Sequence, residues 1–363
     1  MFTPAVVRLI VVLLALLAGG SIAPVALAQE TAEPAASPAA QQALPATTPI
    51  PGGRVFALPA GGGFPEGVAY DEATGDFYVG STVDGTIARG NVQTGTMAVF
   101  VPGSPGRVAV GLALDGTGRL FVAGGDTGAV AVYDTATGQL LLEVSNGLAP
   151  NTFLNDVDVS ATGDAYITDS FNPLLWHLPA TTIPTGAGTP APVPTTNGLE
   201  VAVDFTTTGF DLVQSGFNAN GIVATPDGRY LLLVQTNTGA LYRVDAATGE
   251  TIQVDLGAGS LPGGDGLELE GQTLWVVREG QVTRVELSPD SASGTVGNSF
   301  TDPSFADPTT LARFDGCLLV VNSQFSQQQG QPELPFTVSS VPIPRAGEAV
   351  GTPSATPVAA GIC

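Results

Sequence analysis

Short apolar runs alternate with polar turns along most of this chain. The runs are four to eight residues long, too short for helices, and they carry no 3.6-residue periodicity. The most apolar of them are Phe77-Tyr78-Val79, Leu120-Phe121-Val122, Ala165-Tyr166-Ile167, Leu231 to Val234, Leu274 to Val277 and Leu318 to Val321. Each reads as a strand buried on both faces. Before each lies a weaker strand, such as Gly67 to Asp71 or Leu112 to Leu114. A turn joins the two, often with Gly in it, as in Asp115-Gly116, Thr162-Gly163 and Asp227-Gly228. Such pairs accept the positive φ that tight hairpins require. A third strand follows in five units (Thr86 to Arg89, Ala129 to Tyr133, Leu174 to His177, Ala240 to Val244, Gln281 to Val285), and an outer fourth in several (Met97 to Val101, Leu140 to Val144, Thr251 to Val254).

The units repeat in register. The residue opening the first strand is Glu66, then Val110, Asn155, Asn220, Asp265 and Thr309, at spacings of 44, 45, 65, 45 and 44. Four strands per unit at this period predict an all-β fold, a six-bladed β-propeller with four-stranded blades. A sandwich needs no fixed repeat, and a solenoid uses shorter units. The sixth unit has an ill-defined outer strand, while Arg54 to Pro59 looks like a fourth strand with no unit of its own. Residues 54–59 are therefore expected to complete blade six, closing the ring from the N-terminal side and removing an open edge. The long third spacing holds extra residues, mostly between Trp176 and Leu199, on the face opposite the register residues. A smaller excess at 208–217 falls on the register face.

Composition sharpens this picture. The 47 Gly and 29 Pro suit turns and strands, and the 44% hydrophobic content suits a large core. The chain has 33 acidic residues against 11 Arg and no Lys, a net charge of -22. That charge opposes binding to nucleic acid or anionic membranes, and the lack of Lys excludes Schiff-base chemistry. Residues 1–28 read as a signal peptide: Arg8, an apolar run from Leu9 to Leu17, and Ala26-Leu27-Ala28 before Gln29. Residues 29–52 read as a disordered Ala/Pro/Thr-rich linker. The propeller is expected over 53–340, followed by a Pro-rich tail over 341–363. An exported protein without membrane attachment after cleavage is expected. Cys317 and Cys363 are compatible with one disulfide or with two free thiols.

First strands line a propeller's channel, so the register residues converge at one mouth. Glu66, Asn155, Asn220 and Asp265 form an oxygen-only set suited to one hard divalent cation such as Ca2+, Mg2+ or Mn2+, with the softer Zn2+ a further candidate. The competing reading has these residues merely capping turns. A cation here could polarise a carbonyl or phosphoryl oxygen and activate water. Asp265 is then the candidate catalytic residue, a ligand that also handles the proton, with Glu66 mainly a ligand. Loops from second to third strands share this face. From them, Asp169, Arg278 and Asn322 are candidate substrate contacts for a small molecule, with Asn155 a further one. His177, the only histidine, lies away from the mouth and leaves no Ser-His-Asp triad.

Asn155-Asp156 with Gly163 to Asp169 resembles the third-blade signature of the senescence-marker-protein/gluconolactonase/luciferin-regenerating-enzyme family. Asn220-Gly221-Ile222 with Thr225-Pro226-Asp227-Gly228 resembles its fourth-blade motif, Asp265-Gly266-Leu267 its fifth and Glu66-Gly67 its first. The resemblance covers roughly residues 54–340. It implies a six-bladed propeller with one divalent cation, often calcium, held by Glu66, Asn220 and Asp265, with Asn155 a ligand or substrate contact. It also implies a lactone-hydrolysing activity, with organophosphate esters as the substrates of some members. Sugar-lactonase members carry an Arg shortly before the third-blade Asn, where this chain has Asn151-Thr152-Phe153-Leu154. Two further readings remain: a non-catalytic, calcium-stabilised binding or scaffold propeller, and a phosphotriesterase-like hydrolase.

Overall fold

The structure is a computed structural model that describes residues 53–184, 198–213, 216–344 and Cys363. The signal-peptide and linker expectations, and most of the expected tail, lie outside the described residues. Twenty-four strands form six four-stranded antiparallel sheets, with no α-helix among the described residues.

β1 (Arg54–Ala57) stands apart from its neighbours in sequence. Blade one is β2 (Pro65–Asp71), β3 (Asp76–Ser81), β4 (Ile87–Asn91) and β5 (Met97–Val101). Blade two is β6 (Leu112–Leu114), β7 (Arg119–Ala123), β8 (Ala129–Asp134) and β9 (Leu140–Ser145). Blade three follows as β10 (Leu154–Val159), β11 (Ala165–Asp169), β12 (Leu174–Leu178) and β13 (Glu200–Asp204). β14 (Ala219–Ala224), β15 (Tyr230–Gln235), β16 (Ala240–Asp245) and β17 (Thr251–Gln253) make blade four. Blade five holds β18 (Gly264–Glu270), β19 (Thr273–Arg278), β20 (Gln281–Leu287) and β21 (Gly294–Phe300). Blade six comprises β22 (Pro308–Phe314), β23 (Cys317–Asn322) and β24 (Thr337–Pro342), and its outermost strand is β1. Arg54 pairs with Ser340 and Ala57 with Thr337, so the N-terminal strand closes the ring. β24 runs two residues past the expected end of the propeller at 340.

The strongly apolar second strands are explained by the core, which is divided into six clusters, one at each junction between blades. Leu120 and Val122 face the blade one–two cluster, while Phe121 and Ala123 face the two–three cluster. Leu231 and Leu233 point to the three–four junction, Leu232 and Val234 to the four–five junction. Both faces of each second strand are buried, so polar alternation is lost. At the six–one junction Phe56 of β1 packs edge-on against Phe77, ring centroids 4.9 Å apart. Cys317 and Cys363 lie in that same cluster and are joined by a disulfide, Cα atoms 5.7 Å apart.

Candidate metal centre

Five of the six inner strands open with the same irregularity. Pairing with the second strand slips between Pro65 and Val68, Leu154 and Val157, Ala219 and Ile222, Gly264 and Leu267, and Pro308 and Leu311. Each slip spans the register residue and the one after it. A bulge puts two residues of one strand against one of its partner and re-aims their side chains. The residue after the register position is Gly67, Gly111, Asp156, Gly221, Gly266 and Thr310 around the ring. Four are glycines because the neighbouring inner strand passes too close: a Cβ on Gly67 would collide with the Val110 carbonyl oxygen, and one on Gly221 with that of Asp265. The two that carry side chains, Asp156 and Thr310, both reach the channel group. Asp156 interacts electrostatically with Glu66 and Asp265, and Thr310 hydrogen-bonds to Glu66.

Three carboxylates therefore share the channel end. Glu66 is 6% exposed, and its Oε2 has no hydrogen-bond partner. Burial, then the charges of Asp265 and Asp156, drive its pKa well above the ordinary carboxylate value. Asp265 is half-buried; burial and the Asp156 charge push it up to about 8, against a hydrogen bond from Asn220. Asp156, 8% exposed, is pushed by burial up to about 7, although the backbone N–H groups of Val157 (2.9 Å) and Ile222 (3.1 Å) donate to it. A deeper tier repeats the arrangement. Asp158 accepts from Val159 and Ala224 and is raised by burial to about 6; burial and Asp158 raise Glu268 to about 8 despite Arg313. In both tiers of blade three, an acid caps a free N–H on the inner edge of the next blade.

The amides are held by hydroxyls. Asn155 donates through Nδ2 to Ser170 Oγ (2.9 Å), and Ser170 donates to the carbonyl of Ala219, the residue before Asn220 (2.6 Å). Asn220 donates to Thr236 Oγ1 (3.0 Å), which donates to the carbonyl of Gly264, the residue before Asp265 (2.7 Å). At ring closure the Thr309 and Ser323 hydroxyls are 2.6 Å apart, and Ser323 hydrogen-bonds the carbonyl of Pro65, the residue before Glu66. In blade two Gly125 does the same with its backbone N–H, donating to the Leu154 carbonyl at 2.9 Å. Each latch thus fixes where the next blade's register residue begins. Ser170, Thr236 and Ser323 were not singled out from the sequence. Their shared place, immediately after each second strand, was the available signal.

The other site residues expected from the sequence sit differently. Asp169 is fully buried; its carboxylate accepts from the N–H groups of Phe153, Phe171 and Asn172, the Thr152 hydroxyl, the Asn172 amide and Trp176 Nε1. Asn322, equally buried, accepts from the Ala306 N–H and donates to Thr337 and Ser339. Both are loop braces with their polar atoms committed. Arg278 donates to Thr283 Oγ1 at 2.9 Å and pairs with Glu279 at 3.4 Å. His177 stacks on Tyr166 and lies 3.5 Å from Asp164, on a third strand away from the channel group.

Among the described residues, no group of three His, Cys, Asp or Glu side chains is arranged to hold a metal ion. A cation at this end needs amide oxygens as well as carboxylates. The set Glu66, Asn155, Asn220 and Asp265 meets that need, and the partnerless buried Oε2 of Glu66 fits a ligand awaiting its ion.

No protein-family model matches this sequence, and no curated protein matches it significantly. Solved structures do superimpose on most of it. A gluconolactonase of Xanthomonas campestris is 18% identical, with 80% of this chain and 90% of that one covered at a TM-score of 0.55. The calcium-binding protein regucalcin of Agrobacterium tumefaciens is 18% identical, covering 79% and 96% at 0.54. Mala s 1, the major allergen of Malassezia sympodialis, is 14% identical, covering 80% and 96% at 0.58. At these identities the likeness establishes the propeller fold. The gluconolactonase and regucalcin are propellers of the kind that the blade motifs resemble.

Proposed function

We propose that this protein is an exported, divalent-cation-dependent hydrolase of a lactone or related ester, with its cation held by Glu66, Asn155, Asn220 and Asp265. The observation that carries this is the buried, partnerless Glu66 Oε2 facing two further carboxylates whose ionisation burial resists. Such a group is costly as it stands and is completed by a cation. The oxygen-only donor set favours calcium, then magnesium or manganese, over zinc, which takes nitrogen and sulfur ligands more readily. A bound hard cation supplies polarisation of a substrate carbonyl and a lowered pKa for a water.

The chain's own residues do the rest. Asp265, hydrogen-bonded by Asn220 and held ionised by a bound cation, would take the proton of the attacking water and return it to the leaving group. Glu66 would serve as a ligand and stay outside the proton transfer. Asn155, fixed through Ser170, orients its amide towards the bound group. The likeness to a gluconolactonase supports lactone chemistry, and the likeness to a calcium-binding protein supports the ion. A phosphotriesterase would use the same centre.

One observation favours a non-catalytic calcium-stabilised scaffold instead: the ligands are tied into the latches between blades, so an ion here would also brace the ring. The test is hydrolysis of a lactone, aryl-ester and phosphotriester panel by the mature protein, with and without chelator. Turnover that chelator abolishes and calcium restores is expected, with Asp265→Gln lowering it at least about 100-fold. Full activity in that variant removes Asp265 from the proton's path. No turnover on any substrate, with a chelator-lowered melting temperature, establishes the scaffold. Secreted protein beginning at Gln29 would support export, and an intact Met1 in the cell interior would refute it.

A further inference from the structure

The mouth around this centre is rimmed by two phenylalanine clusters. At the junction of blades three and four, the rings of Phe153, Phe171 and Phe217 lie 5.1 to 5.5 Å apart in all three pairings. Phe153 is two residues before Asn155, Phe217 three before Asn220, and Phe171 directly follows the latch Ser170. At the junction of blades six and one, Phe64 packs on Phe336 at 5.2 Å and stacks on Phe325 at 6.4 Å. Phe64 is two residues before Glu66, and Phe325 two after the latch Ser323. With six blades, these junctions lie opposite one another across the channel.

Large apolar side chains exposed to water are few among the described residues, and this face has most of them. Phe171 is 44% exposed, Val83 52% and Leu334 69%, each in a loop from a second to a third strand. Val83 and Phe336 both border Gly63, which joins Val83 to the second cluster. Polar groups at this face that the sequence offered for substrate are used by the framework: Asp169 and Asn322 are braces, and Arg278 is paired with Glu279, as Arg107 is with Glu143. A polyhydroxylated or anionic substrate would meet unpartnered apolar surface and an acidic channel. A neutral substrate with apolar arms would bury those arms on the rings.

We infer that the phenylalanine clusters on the two sides of the mouth select a neutral lactone or ester bearing alkyl or aryl substituents over a sugar lactone, with Phe171 and Phe325 as specificity-determining residues. The inference rests on the hydrolase reading above for the bond that is broken, but not for the binding itself. Its test is calorimetric binding of 2-alkylcyclopentanones, methyl to heptyl, which carry a ring carbonyl and no hydrolysable bond. Alkyl γ-lactones and glucono-δ-lactone are assayed for hydrolysis alongside.

Affinity is expected to tighten about fourfold per buried methylene. Phe171→Ala and Phe325→Ala should each weaken the heptyl ketone about tenfold and flatten that slope, whereas Phe171→Leu should retain most of it. Phe171 is exposed enough that its loss should leave the melting temperature unchanged. Binding independent of chain length, or glucono-δ-lactone turned over faster than every alkyl lactone, overturns the inference. Chain-dependent ketone binding with no lactone hydrolysed supports the apolar rim and sinks the hydrolase reading alone.

Discussion

Raising the pH from 5 to 8 should destabilise this protein when divalent cations are chelated, and should do so far less in excess calcium. The worked case is Asp156, because it is well buried and its two capping N–H bonds are already counted in its value of about 7. Below about pH 4 this carboxyl is protonated in the folded and unfolded chains alike, and nothing is lost. Above its ordinary value of 3.8 the unfolded chain ionises while the folded one keeps its proton. The folded state then binds more protons, so stability falls with rising pH until about pH 7 and is level beyond it. The full cost is at most about 4 kcal/mol, of which about 3 kcal/mol falls between pH 5 and 7. Glu66 and Asp265 act in the same direction, but they share one charge interaction and Asp265 is partly open to channel water, so their contributions do not simply add. For a chain of this size, about 3 kcal/mol is about 6 °C of melting temperature.

The opposite trend comes from carboxylates such as Asp84 and Asp115, where burial is outweighed by hydrogen bonds from Thr86 and Thr117. Their titration lies below the ordinary carboxylate range, outside the window from pH 5 to 8. Scanning calorimetry across that window in EDTA should show a melting temperature falling by several degrees. The same scans in millimolar calcium should be higher and nearly flat, since the cation favours the ionised ligands. A melting temperature that is level or rising with pH in EDTA would refute the electrostatic account of the channel.

Three further outcomes are expected. Reducing the Cys317–Cys363 bridge, or Cys363→Ser, should cost about 4 kcal/mol in the loop-entropy model for a separation of 46 residues; an unchanged guanidine midpoint with reductant would count against it. Phe56→Ala should cost about 3 to 4 kcal/mol, because that ring fills the six–one junction, and should strip hydrogen-exchange protection from Arg54–Ala57; β1 amides unprotected in the parent protein would remove the closure altogether. Thr236→Val removes the bonds to Asn220 and to the Gly264 carbonyl and should destabilise by about 1 to 3 kcal/mol, while lowering calcium affinity measured by titration calorimetry. Calcium affinity held at the parent value would make that latch purely structural.

The fold was legible because each blade repeats one strand buried on both sides, and because the polar register residue interrupts an otherwise apolar pattern. Ring closure could be read because Arg54 to Pro59 had strand character and no blade of its own. β24 escaped notice for the converse reason: Ser339 and Ser340 sit fully buried in a strand whose sequence looks like a loop. Asp156 was hidden by a two-residue period, which sends neighbours to opposite faces; the bulge in β10 brings it to the same charge group as the register residues. Asp169 and Asn322 looked like contacts because they end second strands beside the mouth. Chain geometry turns both inward, where the loop N–H groups need acceptors. Latch hydroxyls are individually ordinary residues, and only the superposition of blades gives Ser170, Thr236 and Ser323 a common role.

The glycine that follows the register residue in four of the six blades also sets how freely each blade can change. In a chain built by repetition, equivalent positions would ordinarily tolerate equivalent substitutions. Here one position per blade divides the ring into unequal sectors: at Gly67, Gly111, Gly221 and Gly266 any side chain must displace a neighbouring strand, while at Asp156 and Thr310 room for one already exists. Variation is therefore channelled into blades three and six, half a turn apart. Those are the two places where drift, or an engineer, can rewrite the channel's chemistry without first rebuilding its wall.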